Sequence, residues 1–311
     1  MTKPADLAYF SEENSADVVN ARIDTASADP RLAAIAQSLT RHLHAFIKEV
    51  EPSHEEWLAG IRFLTETGHM SSEWRQEFIL LSDVLGVSML VDAINSRRPS
   101  GATENTILGP FYVKNPPTLP DGANICQDGK GEPCRVSGTV RDTSGAPVAG
   151  ALIDVWQTND DGFYDVQQKD VQPDMNMRGA FLTDAEGRYS FRTAKPRHYP
   201  IPDDGPVGRL LGQLGRHPNR AAHIHAIVSA DGFDTVITHV FEPGCPYLRE
   251  DAVFGVKESL IGTFVRHQGN DLATAPGIDG PGVGSSDVWW DVEVDFVLTP
   301  ASGKSAMVHQ F

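Results

Sequence analysis

The chain has 311 residues, of which 40% are hydrophobic and 22% charged, and this composition indicates a globular protein rather than a disordered one. Its 42 acidic and 26 basic residues give a formal net charge of −16, which argues against nucleic acid or an anionic membrane as partner. The three cysteines lack CxxC spacing, which argues against a disulfide framework or a zinc ribbon. No signal peptide is visible, and no apolar run reaches the length of a membrane span. We therefore predict a soluble cytoplasmic protein without a membrane span.

The first hundred residues carry apolar side chains at helical spacing. One apolar run extends from Leu32 to Ile47, and a second begins after Ser53, which has the spacing of a capping box with Glu56. A third run covers about residues 72–95, and proline is nearly absent from the last two runs. We therefore predict three helices and a helical domain at residues 1–105.

From residue 98 onward, glycine and proline become frequent and the apolar periodicity changes to two, which is typical of strands. Short strand candidates separated by turn signals favour a β-sandwich or barrel over alternating strands and helices. We therefore predict a β-sandwich domain at residues 106–311. The predicted strands cover residues 135–141, 151–156, 187–193, 221–229, 235–241 and 288–298.

The first candidate site residues are His223 and His225, which flank Ile224 in a predicted strand. Side chains two residues apart project from the same face of a strand, about 6.5–7 Å apart, so both imidazoles can bind one metal ion. A cupin would add a glutamate a few residues later, which this sequence lacks, and no neighbouring carboxylate completes a site of two histidines and one carboxylate. Two surface histidines without a metal are the alternative interpretation.

Two tyrosines lie in loops that follow predicted strands. Tyr164 ends the motif Asp160-Asp-Gly-Phe-Tyr164, and Tyr199 begins the proline-rich motif Tyr199-Pro-Ile-Pro202. Taken singly, each tyrosine is better explained as a half-buried side chain whose hydroxyl group forms a hydrogen bond. The residues alone therefore leave the rest of a metal site open.

Four motifs together resemble the signature of the intradiol ring-cleaving catechol dioxygenases. They are Leu108-Gly-Pro-Phe-Tyr112, the two tyrosine motifs, and Arg220-Ala-Ala-His-Ile-His225. The resemblance extends from about residue 30 to residue 300. It implies an all-β sandwich catalytic domain that binds one Fe(III) per chain, with a helical N-terminal dimerisation region. The implied iron ligands are Tyr164, Tyr199, His223 and His225.

The chemistry of these side chains suits a trivalent metal ion. Tyrosinate is a hard anionic oxygen donor, and a trivalent iron ion lowers the pKa of a phenol far below its free value of about 10. The resemblance implies that Tyr199 is also catalytic, because it dissociates when an aromatic diol binds. It further implies that Arg220 stabilises negative charge on the ring that O2 attacks. A surface arginine paired with an acidic residue is the alternative for Arg220.

Three further features resemble the hydroxyquinol-cleaving group of this family. Asp83 is a carboxylate on an otherwise apolar helix, His239 stands where plain catechol enzymes carry glutamine, and the segment Tyr247–Lys257 is similar to that group. An exposed helix position is the alternative for Asp83. The implied substrate pocket consists of Leu80, Asp83, Ile107, Leu108, Gly109, Pro110, Phe111, Ile201, Pro202, Arg220, His239 and Val253.

The resemblance thus implies an enzyme of aromatic catabolism that cleaves hydroxyquinol (benzene-1,2,4-triol) with O2. The expected product is 3-hydroxy-cis,cis-muconate, which tautomerises to maleylacetate. A catechol or chlorocatechol 1,2-dioxygenase is the nearest alternative, and a non-catalytic ligand-binding β-sandwich is the alternative from another class. Family members also dimerise through the helical region, so we expect a homodimer with a phospholipid in an apolar tunnel at its interface.

Overall fold

The computed structural model describes residues 8–24, 26, 28–72, 75–268 and 288–302. Its backbone contacts divide the chain into two compact units, Met1–Glu66 and Thr67–Phe311. The predicted division between residues 105 and 106 follows a different criterion, the change from helices to strands, and it stays a prediction. No helix within the described ranges is long and apolar enough to cross a membrane.

The first unit is helical and contains α1 (Ser15–Asn20), α2 (Pro30–Val50) and most of α3 (His54–Met70). Asp29 caps α2, because its carboxylate accepts the Leu32 N–H at 2.7 Å. The predicted capping box of α3 is confirmed: the Ser53 N–H donates to the Glu56 carboxylate, and the Glu56 N–H donates to the Ser53 hydroxyl. The apolar periodicity predicts no helix at α1, whose six residues are too few to show one.

The third predicted helix consists of two helices, α4 (Glu77–Val84) and α5 (Val87–Asn95). Gly86 lies between them with φ +72°, a left-handed conformation that residues other than glycine rarely adopt. This glycine ends the first helix, so the apolar pattern continues while the helix axis does not. Residues 73 and 74 of the predicted helix lie outside the described ranges.

Within the described residues, the second unit also contains α6 (Pro206–Gln213) and eleven strands. The strands are β1 (Pro133–Asp142), β2 (Leu152–Trp156), β3 (Arg178–Leu182), β4 (Arg188–Ala194), β5 (Tyr199–Pro200), β6 (Asn219–Arg220), β7 (His223–Ser229), β8 (Val236–Phe241), β9 (Thr263–Gln268), β10 (Val288–Glu293) and β11 (Phe296–Leu298). The predictions of β1, β2, β4, β7, β8 and β10–β11 are confirmed. The sequence pattern does not predict β3, β5, β6, β9 or α6.

The strands form two main sheets. One has the order β3-β2-β7-β8, and all of its neighbours are antiparallel. In the other, β1 pairs with β4 on one side and with β10 and then β11 on the other, while β9 pairs with β10. Apolar side chains from both sheets form one buried core, which confirms the predicted β-sandwich. Its members include Val136, Phe191, Ile153, Val228 and Val240.

The strand register brings the candidate site residues together. On the four-stranded sheet, His225 lies opposite Trp156 of β2 on one side and opposite His239 of β8 on the other. The short strands β5 and β6 form a separate ribbon, in which Tyr199 lies opposite Arg220. The site is therefore built on paired strands and on the loops that leave them.

Candidate metal centre and active site

Four buried side chains converge beside the first residues of β7. The hydroxyl oxygen of Tyr164 lies 2.9 Å from that of Tyr199 and 3.0 Å from His225 Nε2, which in turn lies 3.1 Å from His223 Nε2. All four side chains are at most 6% exposed. We call these two phenol oxygens and two imidazole nitrogens the donor set.

Local backbone features bring these donors into position. His223 and His225 lie on the same face of β7 because they are two residues apart. The Ala221 carbonyl lies 2.6 Å from His223 Nδ1, so this nitrogen carries the proton and Nε2 keeps its lone pair. Gly162 has φ +83°, and a Cβ atom there would lie 3.3 Å from Tyr199 Cβ. A glycine at this turn therefore allows the two tyrosine loops to approach each other.

The electrostatics of the donor set suit a metal ion. Burial lowers the pKa of His223 and His225 well below the usual value, so both imidazoles are neutral and can donate a lone pair. Burial raises the pKa of Tyr164 well above its usual value, and the neighbouring Tyr199 phenol raises it further. A phenol in this position ionises only beside a strong positive charge, and a trivalent metal ion supplies one. The residues present thus fit the iron site that the resemblance implies.

A third imidazole, that of His239, lies beside the donor set. The donor nitrogens of His223, His225 and His239 lie within 4.8 Å of one another. The Nδ1 atom of His239 forms a short hydrogen bond with the hydroxyl of Thr106, and within the described part of the chain its Nε2 has no hydrogen-bond partner. His239 was expected at the substrate pocket and does lie next to the donor set. No motif pointed to Thr106.

Aromatic rings and a close loop constrain the donor set from outside. Trp156 stacks on His225 with ring centroids 4.5 Å apart, and Phe111 stacks on Tyr164 at 4.7 Å. Gly109 has φ +76°, and a Cβ atom there would lie 3.4 Å from His225 Cε1. Leu108 packs on the same aromatic cluster. Three of the predicted pocket residues, Leu108, Gly109 and Phe111, are therefore next to the donors.

Arg220 also lies beside the donor set. Its Nη1 atom is 3.5 Å from His223 Nε2, and its Nε–H donates to Asp251 Oδ1 at 3.3 Å. Nη2 has no hydrogen-bond partner within the described residues, although the side chain is only 4% exposed. Burial disfavours the charged guanidinium, but Asp251 and the phenols of Tyr199 and Tyr164 raise the pKa of Arg220 above its usual value. Arg220 therefore stays charged.

Asp83 lies near the end of α4 and is partly buried rather than fully exposed. Burial raises the pKa of its carboxyl group, whereas a hydrogen bond from Ser88 and the positive charge of Arg220 lower it in part. Arg220 is thus close enough to stabilise the carboxylate. The helix carboxylate and the buried guanidinium belong to one electrostatic environment.

The remaining predicted pocket residues lie on the same segments as these groups. They are Leu80 on α4, Ile107 and Pro110 in the loop that contains Gly109, Ile201 and Pro202 directly after β5, and Val253 in the loop that follows β8. Val253 and Ile201 are buried, and the Ile201 N–H donates to the Pro218 carbonyl at 3.0 Å. Their contacts with a substrate stay a prediction.

One arginine that no motif indicates joins two walls of the predicted pocket. Arg216 donates from Nη1 to the Val84 carbonyl at 2.6 Å and from Nη2 to the Ala252 carbonyl at 3.0 Å. These bonds connect the end of α4, which carries Asp83, with the loop that carries Val253. The sequence around Arg216 has no recognisable pattern, so only the three-dimensional structure assigns it this position.

A second arginine outside the motifs lies behind Tyr164. The guanidinium carbon of Arg178 is 5.8 Å from the centre of the Tyr164 ring, and its Nη2 is 2.6 Å from Asp165 Oδ1. Arg178 is 1% exposed, so this is a buried ion pair. The only hint in the sequence is that Asp165 directly follows Tyr164.

Comparisons with known proteins give matches over most of the chain. Residues 107–299 match the family described as "Dioxygenase", and residues 29–103 match "Catechol dioxygenase N terminus". The chain is 58% identical over 299 residues to a hydroxyquinol 1,2-dioxygenase of Rhizobium sp. (strain MTP-10005), which covers 96% of this chain and 99% of the relative. It is 49% identical over 279 residues to the hydroxyquinol 1,2-dioxygenase of Nocardioides simplex, with 89% and 92% coverage. The solved structure of hydroxyquinol 1,2-dioxygenase from Pseudomonas putida DLL-E4 is similar with a TM-score of 0.86 and 43% identity, over 93% of this chain and 99% of that chain.

Proposed function

This chain belongs to the intradiol dioxygenase family, and on that basis we propose that it cleaves hydroxyquinol with O2 between the two adjacent hydroxyl groups. Both oxygen atoms enter the product, 3-hydroxy-cis,cis-muconate, which tautomerises to maleylacetate. The observation that carries the proposal is the donor set, whose successive atoms lie 2.9–3.1 Å apart beside the buried guanidinium of Arg220. Relatives named hydroxyquinol 1,2-dioxygenase that span nearly the whole chain support the choice of substrate.

The cofactor of this proposal is one Fe(III) per chain, bound by Tyr164, Tyr199, His223 and His225. Two oxygens that become anionic and two neutral nitrogens suit a hard trivalent ion. When bound, the ferric ion supplies a Lewis acid that favours the ionised form of an aromatic diol. Metal analysis of the purified protein and a visible tyrosinate-to-iron absorption band test this assignment. Protein loaded with another metal and inactive with iron would contradict it.

The two tyrosines have different roles in the proposed reaction. Tyr164 is enclosed by the stacked ring of Phe111 and the guanidinium of Arg178, so it stays in place. Tyr199 stands on the two-residue strand β5, and within the described residues its ring contacts with Tyr164 and His223 are edge-on or tilted rather than stacked, which suits a group that leaves the donor set. As a phenolate, Tyr199 would take up a proton from the arriving diol and leave as the neutral phenol. Arg220 then stabilises the negative charge that develops on the ring.

The walls around the donor set determine which diol binds. Asp83 accepts a hydrogen bond from the third hydroxyl group of hydroxyquinol, which catechol lacks. His239 adds a polar group on the opposite strand, and the apolar pocket residues enclose the ring and exclude water. These residues are Leu80, Ile107, Leu108, Pro110, Phe111, Ile201, Pro202 and Val253, with Gly109 leaving space beside His225.

The proposed activity is tested by oxygen uptake with hydroxyquinol and with catechol side by side, with each ring-opened product identified. Hydroxyquinol also oxidises spontaneously, so the Tyr199→Phe variant provides the background rate. We expect rapid uptake with hydroxyquinol, weak uptake with catechol, and maleylacetate as the product. A preference for catechol would keep the iron chemistry and reject the substrate. No enzyme-dependent uptake by iron-replete protein would reject the function.

The role of Asp83 has its own test. We expect Asp83→Ala to lower the ratio of kcat/KM for hydroxyquinol over that for catechol by about 10- to 100-fold, because a hydrogen bond to a charged group is lost with one substrate only. Asp92→Asn is the matched control, since Asp92 lies on the next helix and bonds Ser96 at 2.8 Å. An unchanged ratio in Asp83→Ala would reject the assignment.

We also propose that the chain forms a homodimer through α2. One face of this helix exposes large apolar side chains: Leu39 is 63% exposed, Leu43 52% and Phe46 53%. Light scattering of Leu39→Glu, with Arg41→Glu on the same helix as control, tests this surface. We expect monomers only for Leu39→Glu. Mass spectrometry of lipids extracted from the purified dimer tests whether a phospholipid shares the interface. Monomeric wild-type protein would contradict both the homodimer and the lipid at its interface.

The proposed compartment is the cytoplasm. Cys126, Cys134 and Cys245 are all buried and free, which agrees with a reducing environment. Cell fractionation with the oxygen-uptake assay tests this, and activity confined to an exported fraction would contradict it.

A further inference from the structure

The carboxylate of Asp251, in the loop after β8, contacts the arginine that faces the substrate in the proposed reaction. Arg220 Nε donates to Asp251 Oδ1 at 3.3 Å, and the two side chains are 4% and 2% exposed. We propose that Asp251 is a positioning residue that directs the Arg220 guanidinium toward the reacting ring. This inference rests on the proposed function, because it concerns the efficiency of the same site.

Arg220 needs such a partner because only its backbone is fixed by the fold. The strand pair β5–β6 places Arg220 opposite Tyr199, but the long side chain rotates about four bonds. Within the described residues, the other hydrogen-bond contact of the guanidinium is with His223 Nε2, at 3.5 Å from Nη1. In the proposed site that nitrogen is a metal ligand and cannot accept a hydrogen bond. Asp251 is then the group that sets the orientation of the guanidinium.

The direction of the contact matters as much as its presence. Asp251 takes the Nε–H, so the terminal nitrogens of Arg220 are not consumed by the pair: Nη1 is next to His223, and Nη2 is without a hydrogen-bond partner among the described residues. A charge that is buried, oriented and incompletely satisfied stabilises negative charge better than a freely rotating one. A substrate that becomes negatively charged would supply the missing partner.

Asp251 also stabilises its own loop, and the experiment has to distinguish this structural role from the orientation of the Arg220 guanidinium. Its carboxylate accepts the Ala221 N–H at 3.1 Å and the Gly255 N–H at 2.7 Å. The loop has other attachments, because the Ala252 carbonyl accepts Arg216 Nη2 and the Ala252 N–H donates to the Asn219 carbonyl. We therefore expect the loop to keep its position when the charge of Asp251 is removed.

Gly255 offers a second way to move the guanidinium. A Cβ atom at Gly255 would lie 2.8 Å from Arg220 Nη2 and 3.0 Å from Asp251 Oδ2. The backbone of Gly255 is not in the left-handed region, so alanine adds no backbone strain there, and we expect the flexible end of Arg220 to shift away from the new Cβ atom, with a smaller shift of the Asp251 carboxylate. Glycine at this position leaves the space that the oriented guanidinium occupies.

The experiment is a double-mutant cycle of Asp251→Asn and Arg220→Gln in the iron-loaded enzyme. We expect Asp251→Asn to lower kcat for hydroxyquinol by about 10-fold with little change in KM, and Arg220→Gln to lower it by about 100-fold or more. The double variant should be no slower than Arg220→Gln alone, because Asp251 acts through Arg220. Glu250→Gln is the matched control, since the adjacent carboxylate is 71% exposed and should leave kcat unchanged.

Several outcomes would overturn the inference. Equal loss of kcat from Asp251→Asn in the presence and absence of Arg220 would show a structural role, and no loss at all would show that Asp251 does not orient Arg220. The visible iron absorption band and the unfolding midpoint are recorded for each variant. If Asp251→Asn fails to fold, Gly255→Ala replaces it in the cycle with the same expectation and the same contrary outcomes. Wild-type enzyme is assayed first, so absent turnover there rejects the proposed function itself.

Discussion

Two buried arginine–aspartate pairs contact the donor set, and they differ in how tightly the guanidinium is bound. Arg178 directs both Nε and Nη2 to Asp165 Oδ1, at 2.7 and 2.6 Å, whereas Arg220 reaches Asp251 with Nε alone, at 3.3 Å. Both arginines are at most 4% exposed. Similar burial and similar partners therefore do not imply similar roles.

The surroundings of the two guanidinium groups explain the difference. Arg178 lies over the face of the Tyr164 ring, which is already covered on another side by Phe111. Arg220 lies beside His223, with Nη1 3.5 Å from His223 Nε2. Terminal nitrogens without a hydrogen-bond partner within the described residues occur on both arginines, Nη2 on Arg220 and Nη1 and Nη2 on Arg178. The two pairs therefore differ in the distance between their charged atoms and in their neighbours, and the proposed roles follow that difference: Arg178 holds Tyr164 in place and Arg220 faces the substrate. A longer contact between a buried arginine and its carboxylate thus goes with the proposed catalytic role, and a shorter one with the proposed structural role.

The largest expected effect is a loss of stability when the Arg178–Asp165 pair is broken. We expect Arg178→Met to lower the free energy of unfolding by about 3–5 kcal/mol, because Asp165 is left as an unpaired buried charge. Urea unfolding of the iron-loaded protein measures this. Adding Asp165→Asn should restore part of the loss, since the amide oxygen can still accept the Met175 N–H that Asp165 accepts at 3.1 Å. Unchanged stability in Arg178→Met would remove the distinction between the pairs.

The next largest expected effect is a lower kcat when Arg220 of the Arg220–Asp251 pair is replaced. Arg220→Gln should lower kcat by about 100- to 1000-fold, the usual cost of losing one group that stabilises transition-state charge. Its effect on unfolding should be smaller than that of Arg178→Met, because Asp251 keeps two backbone donors, Ala221 and Gly255. Steady-state kinetics and urea unfolding of the same preparations measure both quantities. Arg249→Gln is the control, because Arg249 is exposed and lies two residues before Asp251. A loss of stability equal to that in Arg178→Met would contradict the comparison.

Much of this arrangement could be predicted from the sequence, and the two pairs show where prediction stops. Tyr164, Tyr199, His223 and His225 lie in short motifs, because each donor needs a particular backbone segment around it. Asp251 lies 31 residues from its arginine, and no local pattern records that contact. Charges that orient other side chains follow from tertiary structure, so a single sequence does not reveal them.

The fold shows the same limit. Strands such as β7 and β8 contain several β-branched residues and are predicted, whereas β3 begins with Arg-Gly-Ala and contains none. The strand β9 is largely exposed, so its sequence shows no regular apolar alternation. Gly86 divides a continuous apolar run into two helices, because the apolar pattern does not report the backbone angle at one residue.

A third carboxyl group, that of Asp154, is also affected by the charge of Arg178. Asp154 is buried, and burial raises its pKa to about 7, although a hydrogen bond from the Tyr112 hydroxyl at 2.9 Å and the charge of Arg178 lower it in part. The folded chain therefore keeps a proton on Asp154 between about pH 4 and pH 7, while the unfolded chain has lost it. Folding stability from this group is complete below about pH 4, falls as the pH rises to about 7, and is constant above that.

The expected pH effect is the smallest of the three and is measured against Asp154→Asn, which cannot titrate. Between pH 5 and pH 8 the wild-type chain should lose about 2.6 kcal/mol more unfolding free energy than Asp154→Asn, because the loss is about 1.4 kcal/mol for each pH unit below 7. Urea unfolding at four pH values measures the difference, with Asp231→Asn as an exposed control. Parallel pH profiles would mean that Asp154 is ionised in the folded chain and shares the charge of Arg178. The Arg178–Asp165 pair would then be a cluster of one arginine and two carboxylates, Asp165 and Asp154. It would differ from the Arg220–Asp251 pair in the number of carboxylates rather than in the distance to a single carboxylate.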